Sequence, residues 1–269
     1  MIAALDPVVL DGELAGTRFA SRGQVHATVR CTNDTLQDLA RTGACEGTFV
    51  IAGKQEAGRG RRGRRWESGS GLGLYLSVLF RPQQGPPIYW TLGAAVAACD
   101  ACREFGVSAT TIKWPNDLLV AGRKLAGILV DTRTAGNTIR DLVVGLGINV
   151  NHDEEQLRSL GVPGVTSLRV ETGLNPHDGR LAVACAFLRR LEDIARLIEA
   201  GDWARVAEDW MERSPQAQDA SVIVHPHDGA PWPGVSAGLA PDGALRVRDV
   251  DDLVHLVHQV DSVRFEETA

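Results

Sequence analysis

Five arginines fall within seven residues in Arg59-Gly60-Arg61-Arg62-Gly63-Arg64-Arg65, with Gly58 before them and Trp66 after. Glycines let a backbone approach a ligand closely, and guanidinium forks grip carboxylate or phosphate oxygens two at a time, so the stretch can hold a small anion. Trp66 offers a flat face for a ring to stack on. Gly58-Arg59-Gly60-Arg61-Arg62-Gly63 matches the dinucleotide spacing G-x-G-x-x-G, but Arg64 to Gly71 cannot open a helix and the region about 20 residues on holds Arg81 instead of an acid, so that reading fails. No Gly-Lys-Ser/Thr follows, which excludes a P-loop. The second constellation is Lys113-Trp114-Pro115-Asn116-Asp117, then Arg123-Lys124-Leu125-Ala126-Gly127-Ile128-Leu129-Val130. Proline extends the residue before it and aims Asn116 and Asp117, while a hairpin through Ala121-Gly122 returns Lys124 to Asp117. An ammonium beside a carboxylate, facing an arginine loop, fits activation of a carboxylic acid by a nucleotide phosphate. On these residues alone an ordinary ion pair on a surface hairpin fits equally well.

These groups need elements to carry them. Alternation predicts a strand over 24–30, and Thr32-Asn33 supplies cap chemistry for a helix to about Arg41. Strands follow over 47–54 and 74–80, joined by a glycine-rich cationic loop without periodicity, the kind of long loop that is usually functional. A helix is predicted over 88–105, short strands at 110–113, 118–120, 127–131 and 142–150, and helices over 154–160, 178–200 and 203–213. Before residue 24 the chain reads as irregular. Past Pro215 the texture changes to turn signals and short alternating runs at 222–224, 245–247 and 253–257, a small β-barrel appended to an α/β body.

Composition narrows the rest. At 269 residues, 44% hydrophobic and 23% charged, the chain has an ordinary globular composition, which excludes disordered and fibrous classes. Only three of 28 basic residues are lysines, Lys54, Lys113 and Lys124. Outside the arginine cluster 23 basic residues face 34 acidic ones, so one cationic spot stands on an acidic body, better suited to a small anionic ligand than to a long nucleic-acid footprint. Five cysteines without framework spacing place the chain in a reducing compartment, the cytoplasm by default, and the amino terminus does not read as a signal peptide. No apolar run reaches the roughly 20 residues a membrane helix needs. Cys99 and Cys102 form C-x-x-C in an alanine-rich helix and read as core residues. His225 and His227 lack further ligands, which excludes a metal site there.

Four motifs in register, Gly58 to Trp66, Lys113 to Asp117, Arg123 to Leu129 and Gly145-Leu146-Gly147-Ile148-Asn149-Val150, closely resemble the biotin–protein ligases (biotin–acetyl-CoA-carboxylase ligases). The resemblance runs from about Val25 to the end, weakly in the last part. It implies an α+β fold, with a catalytic domain like those of lipoate ligases and class II aminoacyl-tRNA synthetases over 1–214 and an SH3-like barrel over 215–269. It implies biotin and ATP as substrates, joined as biotinyl-5′-AMP with Mg²⁺ on the triphosphate and no metal fixed by the protein, and then transfer to a lysine of a carboxylase carrier domain. Lys124 bridges the biotin carboxylate and the α-phosphate, Arg59 and Arg61 share in offsetting charge, and Asp117 orients or deprotonates the acceptor amine. The biotin side takes Cys31, Thr32, Asn33, Gln55, Arg59, Gly60, Arg61, Lys124 and Gly127. The ATP or adenylate side takes Arg61, Arg64, Trp66, Lys113, Asn116 and Asn149, with Lys113 organising the site.

One departure stands out: the family's Ser-Thr-Asn is Cys31-Thr32-Asn33, a weak thiol in place of a hydroxyl partner. About two dozen residues precede the first motif, too few for the helix-turn-helix of repressor members, so a ligase-only form without DNA or membrane contact is expected, with room for a homodimer. The rival readings are a lipoate or octanoate ligase of the same fold and, from another class, a nucleic-acid module built on the arginine loop. A pI near 5.7 and 5% aromatic residues weigh against the latter.

Overall fold

The computed structural model describes residues 5–136, 138–173, 179–258 and 262–265. Among these residues, twelve strands and seven α-helices follow in the order α1 (Pro7–Glu13), β1 (Gly23–His26), α2 (Thr32–Arg41), β2 (Phe49–Ala52), β3 (Gly73–Phe80), α3 (Ile88–Glu104), β4 (Thr110–Lys113), β5 (Asp117–Val120), β6 (Arg123–Ala135), β7 (Thr138–Asn149), α4 (Glu154–Ser159), α5 (Leu168–Thr172), α6 (Gly179–Glu199), α7 (Trp203–Glu212), β8 (Gln218–His225), β9 (Trp232–Leu239), β10 (Leu245–Arg248), β11 (Val254–Val257) and β12 (Ser262–Phe265). The predicted start of the long helix at Asp178 lies outside the described residues.

Seven strands form one sheet in the order β1-β2-β3-β7-β6-β5-β4, antiparallel except for the parallel pair β1–β2. Its faces are sorted by the period-2 alternation of each strand. Leu74, Leu76, Val78 and Phe80 of β3 with Leu142, Val144, Leu146 and Ile148 of β7 turn to the main core under α3 and α6. Leu79 and Val143 turn the other way, onto Leu36 and Ala40 of α2. Every position of β3 is therefore buried, which is why its sequence reads as an apolar run interrupted only by Ser77. Toward the other end of that face α2 gives way to a cavity, floored by the small residues Gly127 of β6 and Gly145 and Gly147 of β7.

The remaining five strands form an antiparallel sheet in the order β11-β10-β9-β8-β12, the second β unit predicted after Pro215, its first strand beginning at Gln218. Its apolar residues Val222, Val224, Leu245 and Val247 belong to the same cluster as Phe80 and Leu118 of the large sheet. Tyr89 donates to the Pro241 carbonyl at 2.6 Å and the Trp114 indole to that of Gly243 at 3.4 Å. Cys99 and Cys102 are buried in α3, with burial raising the Cys99 thiol to about 12. None of the helices among the described residues is long and apolar enough to cross a membrane.

Several expectations need correction. The segment read as irregular contains α1, capped by Asp6 accepting from the Val8 amide at 2.9 Å and carrying Pro7 in its first turn, a start signal the sequence displays. The strand expected over 24–30 stops at His26, and Val29 returns only as an isolated bridge to Gln55. The cap of α2 is Cys31, without a side-chain bond, because Thr32 and Asn33 lie inside the helix and turn their side chains into a buried network.

Just beyond β7, His152 is fully buried and neither ring nitrogen has a hydrogen-bond partner among the described residues. Burial disfavours the imidazolium and depresses its pKa from 6.5 to about 4. The unfolded chain therefore takes up a proton that the folded chain refuses between those values. Stability is expected to fall as pH drops from about 6.5, by up to ~1.4 kcal/mol per unit and roughly 3 kcal/mol in all by pH 4. Urea unfolding of wild type and His152→Leu from pH 7 to 4 checks this: the variant should gain on wild type as pH falls, and parallel curves would refute it.

Candidate active site

The chain places Thr32 beside Gln55 by a short parallel contact: the Val29 amide donates to the Lys54 carbonyl at 3.1 Å and that of Glu56 to Val29 at 3.0 Å. Gln55 Oε1 then accepts from the Thr32 amide (2.9 Å) and hydroxyl (3.1 Å), which fixes its amide orientation and leaves Nε2 to donate to Ser68 Oγ at 3.1 Å. Ser77 Oγ lies 2.8 Å from Thr32 Oγ1 and 2.6 Å from Asn33 Oδ1. These groups close one end of a cavity of about 410 Å³. Cys31 lines it, buried.

Residues 58–66 cross the cavity as a strap. The loop expected to lack structure folds into a narrow hairpin, with the Gly60 amide donating to Arg64 at 2.7 Å, that of Trp66 to Gly58 at 2.9 Å, and a 3-10 turn over Arg61–Gly63. Arg61 drops inward and donates to Asn116 Oδ1 at 2.9 Å. Burial lowers its pKa, with Arg62 adding and Asp117 opposing. Arg59 reaches sideways instead, its guanidinium on Asp131 at 2.6 Å and Asp34 at 2.8 Å. Gly60 and Arg64 line the cavity, and Trp66 lies on its floor. A Cβ on Gly147 would stand 2.6 Å from the Trp66 ring and one on Gly127 3.4 Å, so these glycines are what lets the indole lie against the sheet. The Trp66 indole N–H is buried without an acceptor among the described residues.

Opposite the strap, the β5–β6 hairpin turns through Ala121 and Gly122, both at positive φ as a type I′ turn requires. Lys124 Nζ meets Asp117 Oδ1 at 2.6 Å, as the hairpin reading expects. Lys124 and Gly127 are three apart and would face opposite sides of a regular strand, but a bulge admits an extra residue: Leu118 pairs with Ala126 while Leu119 pairs with Lys124. The bulge turns Lys124 to the cavity face, where its ammonium lies 5.6 Å from the centre of the Trp66 ring. Segment 164–166 holds it from the other side, the Lys124 amide donating to Gly164 at 2.7 Å and the Thr166 amide to Lys124 at 2.9 Å. Asn149 Nδ2 is tied to the Thr166 carbonyl at 3.0 Å.

Lys113 stands across from Asp117 in the β4–β5 register, its pKa lowered by burial against the pull of Asp117. Asn116 is locked by its Nδ2 to the Ile128 carbonyl at 2.7 Å, and the Trp114–Pro115 peptide is cis. All residues expected from the sequence thus border one cavity: Cys31, Thr32, Asn33, Gln55, Arg59, Gly60, Arg61, Arg64, Trp66, Lys113, Asn116, Asp117, Lys124, Gly127 and Asn149. The sequence reading missed Ser68, Ser77 and Asp131. Ser77 carries a signal, the one polar residue in the apolar run Leu74 to Phe80 apart from the Tyr75 hydroxyl. The described residues contain no cluster of three or more His, Cys, Asp or Glu able to hold a metal ion.

The profile of the biotin/lipoate A/B protein ligase family matches residues 25–149. The bifunctional ligase/repressor BirA of Bacillus subtilis is 42% identical over 130 residues, 47% of this chain and 39% of that protein, so the chain matches well under half of that relative's length. The biotin–[acetyl-CoA-carboxylase] ligase of Paracoccus denitrificans is 32% identical over 226 residues, 81% of this chain and 90% of that protein. The structure of the Aquifex aeolicus biotin protein ligase in complex with biotin and ATP superimposes with a TM-score of 0.77, covering 91% of this chain and all of that one at 24% identity, a likeness of fold.

Proposed function

The chain belongs to the biotin–protein ligases of the biotin/lipoate A/B protein ligase family, and on that premise we propose that it activates biotin with ATP and passes the biotinyl group to a lysine of a carrier domain. In the first step a biotin carboxylate oxygen attacks the α-phosphorus, the bond to the β-phosphate oxygen breaks, and pyrophosphate leaves. In the second the lysine amine attacks the acyl carbon and AMP leaves as its phosphate takes back the bonding pair. The name of the Paracoccus relative supports a carrier domain of acetyl-CoA carboxylase or a similar enzyme as acceptor.

The reading rests on one observation, that a hydrogen-bonding end, an ammonium–carboxylate pair and a stacking ring share a single cavity. Thr32, Asn33 and Gln55 suit the polar head of biotin. Lys124 and Arg61 offset the repulsion between the carboxylate and the α-phosphate. Arg59, grouped with them from the sequence, has its guanidinium on two carboxylates. Asp117 faces the acceptor amine, Lys113 and Asn116 hold the hairpin, and Arg64, Trp66 and Asn149 attend the nucleotide. Mg²⁺ would arrive on the triphosphate. The two units of the protein divide near residue 215, and the five free thiols suit the cytoplasm.

Pyrophosphate release measured with ATP plus biotin, lipoate or octanoate tests the reading. Release with biotin alone supports it, and release with another acid, or with none, overturns it. Gly147→Ala probes the nucleotide side. The added methyl overpacks the indole, so KM for ATP is expected to rise about tenfold while KM for biotin moves less than twofold. Steady-state kinetics with each substrate varied in turn checks this, and an unchanged KM for ATP would remove Trp66 from the nucleotide subsite.

A further inference from the structure

Asp131 ends the apolar run of β6 and faces α2 and the strap rather than the core. A single oxygen, Oδ2, takes donors from three places: Arg59 of the strap at 2.6 Å, Asn33 at 2.9 Å and Gln37 at 3.2 Å. Asp34 adds a second carboxylate to Arg59 at 2.8 Å. Burial works against the Arg59 cation, yet the bond and charge of Asp131, with Asp34 and Cys31 adding, raise its pKa above the ordinary value. An unremarkable surface pair joins two flexible side chains and holds little. Here the acceptor is four-fifths covered and already braced by α2, so the arginine is the only partner of the three that belongs to the strap. Asn33 is also the link to Ser77, Thr32 and Gln55, and Gln55 donates to Ser68, two residues past the strap. A chain of polar contacts therefore runs from Arg59 near the start of the strap, around the closed end of the cavity, to Ser68 just past its end.

We propose that Asp131, seconded by Asp34, is a positioning residue that latches Arg59 and so holds the strap across the cavity, slowing escape of the activated acid before an acceptor arrives. The identity of that acid rests on the ligase reading, while the latch itself does not. In this arrangement Arg59 anchors the strap and leaves the oxygens at the reacting centre to Arg61 and Lys124. A preformed biotinyl adenylate, once under a latched strap, can leave only when the Arg59 pair opens. A reactive mixed anhydride is thereby kept from bulk water.

The test uses the full chain. Limited trypsin digestion of the ligand-free protein, with cleavage after Arg61, Arg62, Arg64 and Arg65 mapped by mass spectrometry, reads the strap directly. Asp131→Asn is expected to raise cleavage there about tenfold with other sites unchanged, Arg59→Ala to match it, and the double variant to add nothing further. In the same proteins the dissociation rate of preformed biotinyl adenylate should rise about tenfold, and KM for biotin should rise more than kcat falls. A merely structural carboxylate would raise cleavage throughout the chain. Wild-type cleavage of the strap in Asp131→Asn, or additive effects in the double variant, would overturn the latch. Should Asp131→Asn fail to fold, Arg59→Ala carries the test alone, because it leaves the bonds of Asp131 to α2 in place. Faster strap cleavage without any biotin-dependent adenylate would keep the latch and sink the ligase reading. Normal cleavage with normal adenylate formation would do the reverse.

Discussion

Replacing Lys124 with alanine is expected to slow formation of the biotinyl adenylate by about a thousandfold and leave the fold intact. Two anions brought to about 4 Å at an effective dielectric constant near 20 repel by ~4 kcal/mol, which is three powers of ten in rate, and in the proposed reaction Lys124 is the ammonium that offsets it. Its removal also takes away the ammonium paired with Asp117 at 2.6 Å, leaving Lys113 and Arg61 as the nearby cations. The pair is about one-third exposed on the lysine side, so its loss should lower stability by no more than ~1 kcal/mol. Single-turnover pyrophosphate release together with thermal melting checks both halves. A variant within tenfold of wild type would take Lys124 out of the reacting centre.

Asp117→Asn should divide the reaction. The acceptor lysine must lose a proton as it attacks, and a positioned base contributes about a hundred- to ten-thousandfold to such a step. Transfer from preformed biotinyl adenylate to a carrier domain is therefore expected to slow by two to three powers of ten, roughly, while adenylate formation falls by tenfold at most. Hydroxylamine, a nucleophile already neutral at pH 7, should capture the acyl group at near the wild-type rate. Rapid-quench measurement of all three rates makes the comparison, and equal losses in both half-reactions would leave Asp117 only the task of holding Lys124.

The parts of this site legible in the sequence were those carried by local chemistry. Glycine between arginines, a proline ahead of Asn116-Asp117 and a two-residue turn at Ala121-Gly122 each constrain their own neighbourhood, so the strap and the Asp117–Lys124 contact could be anticipated. The bulge could not, because Leu125 is an unexceptional strand residue and only pairing against Leu119 reveals the extra position. Asp131 was lost among 34 acidic residues, since its role depends on donors 72 and 98 positions away. Thr32-Asn33 was misread for a physical reason as well. Both residues cap helices well, but here a buried network on the cavity side competes for their side chains and leaves the capping position to Cys31. Of the helices missed, α1 announced itself through Asp6-Pro7, while α5 is five residues long and capped by Ser167, too short for periodicity to register.

The apolar cluster shared by the two sheets bears on how the protein breathes. Amide protons exchange when a cooperative unit opens, and among the described residues a core continuous from Phe80 and Leu118 to Val222 and Leu245 couples the small sheet to the large one. Trp114, one residue ahead of the Pro115-Asn116-Asp117 corner, is tied to the Gly243 turn. Fluctuations of the small sheet are thus expected to reach Asp117, the carboxylate proposed to meet the acceptor, and the deepest protection against exchange should span both sheets instead of ending at residue 214.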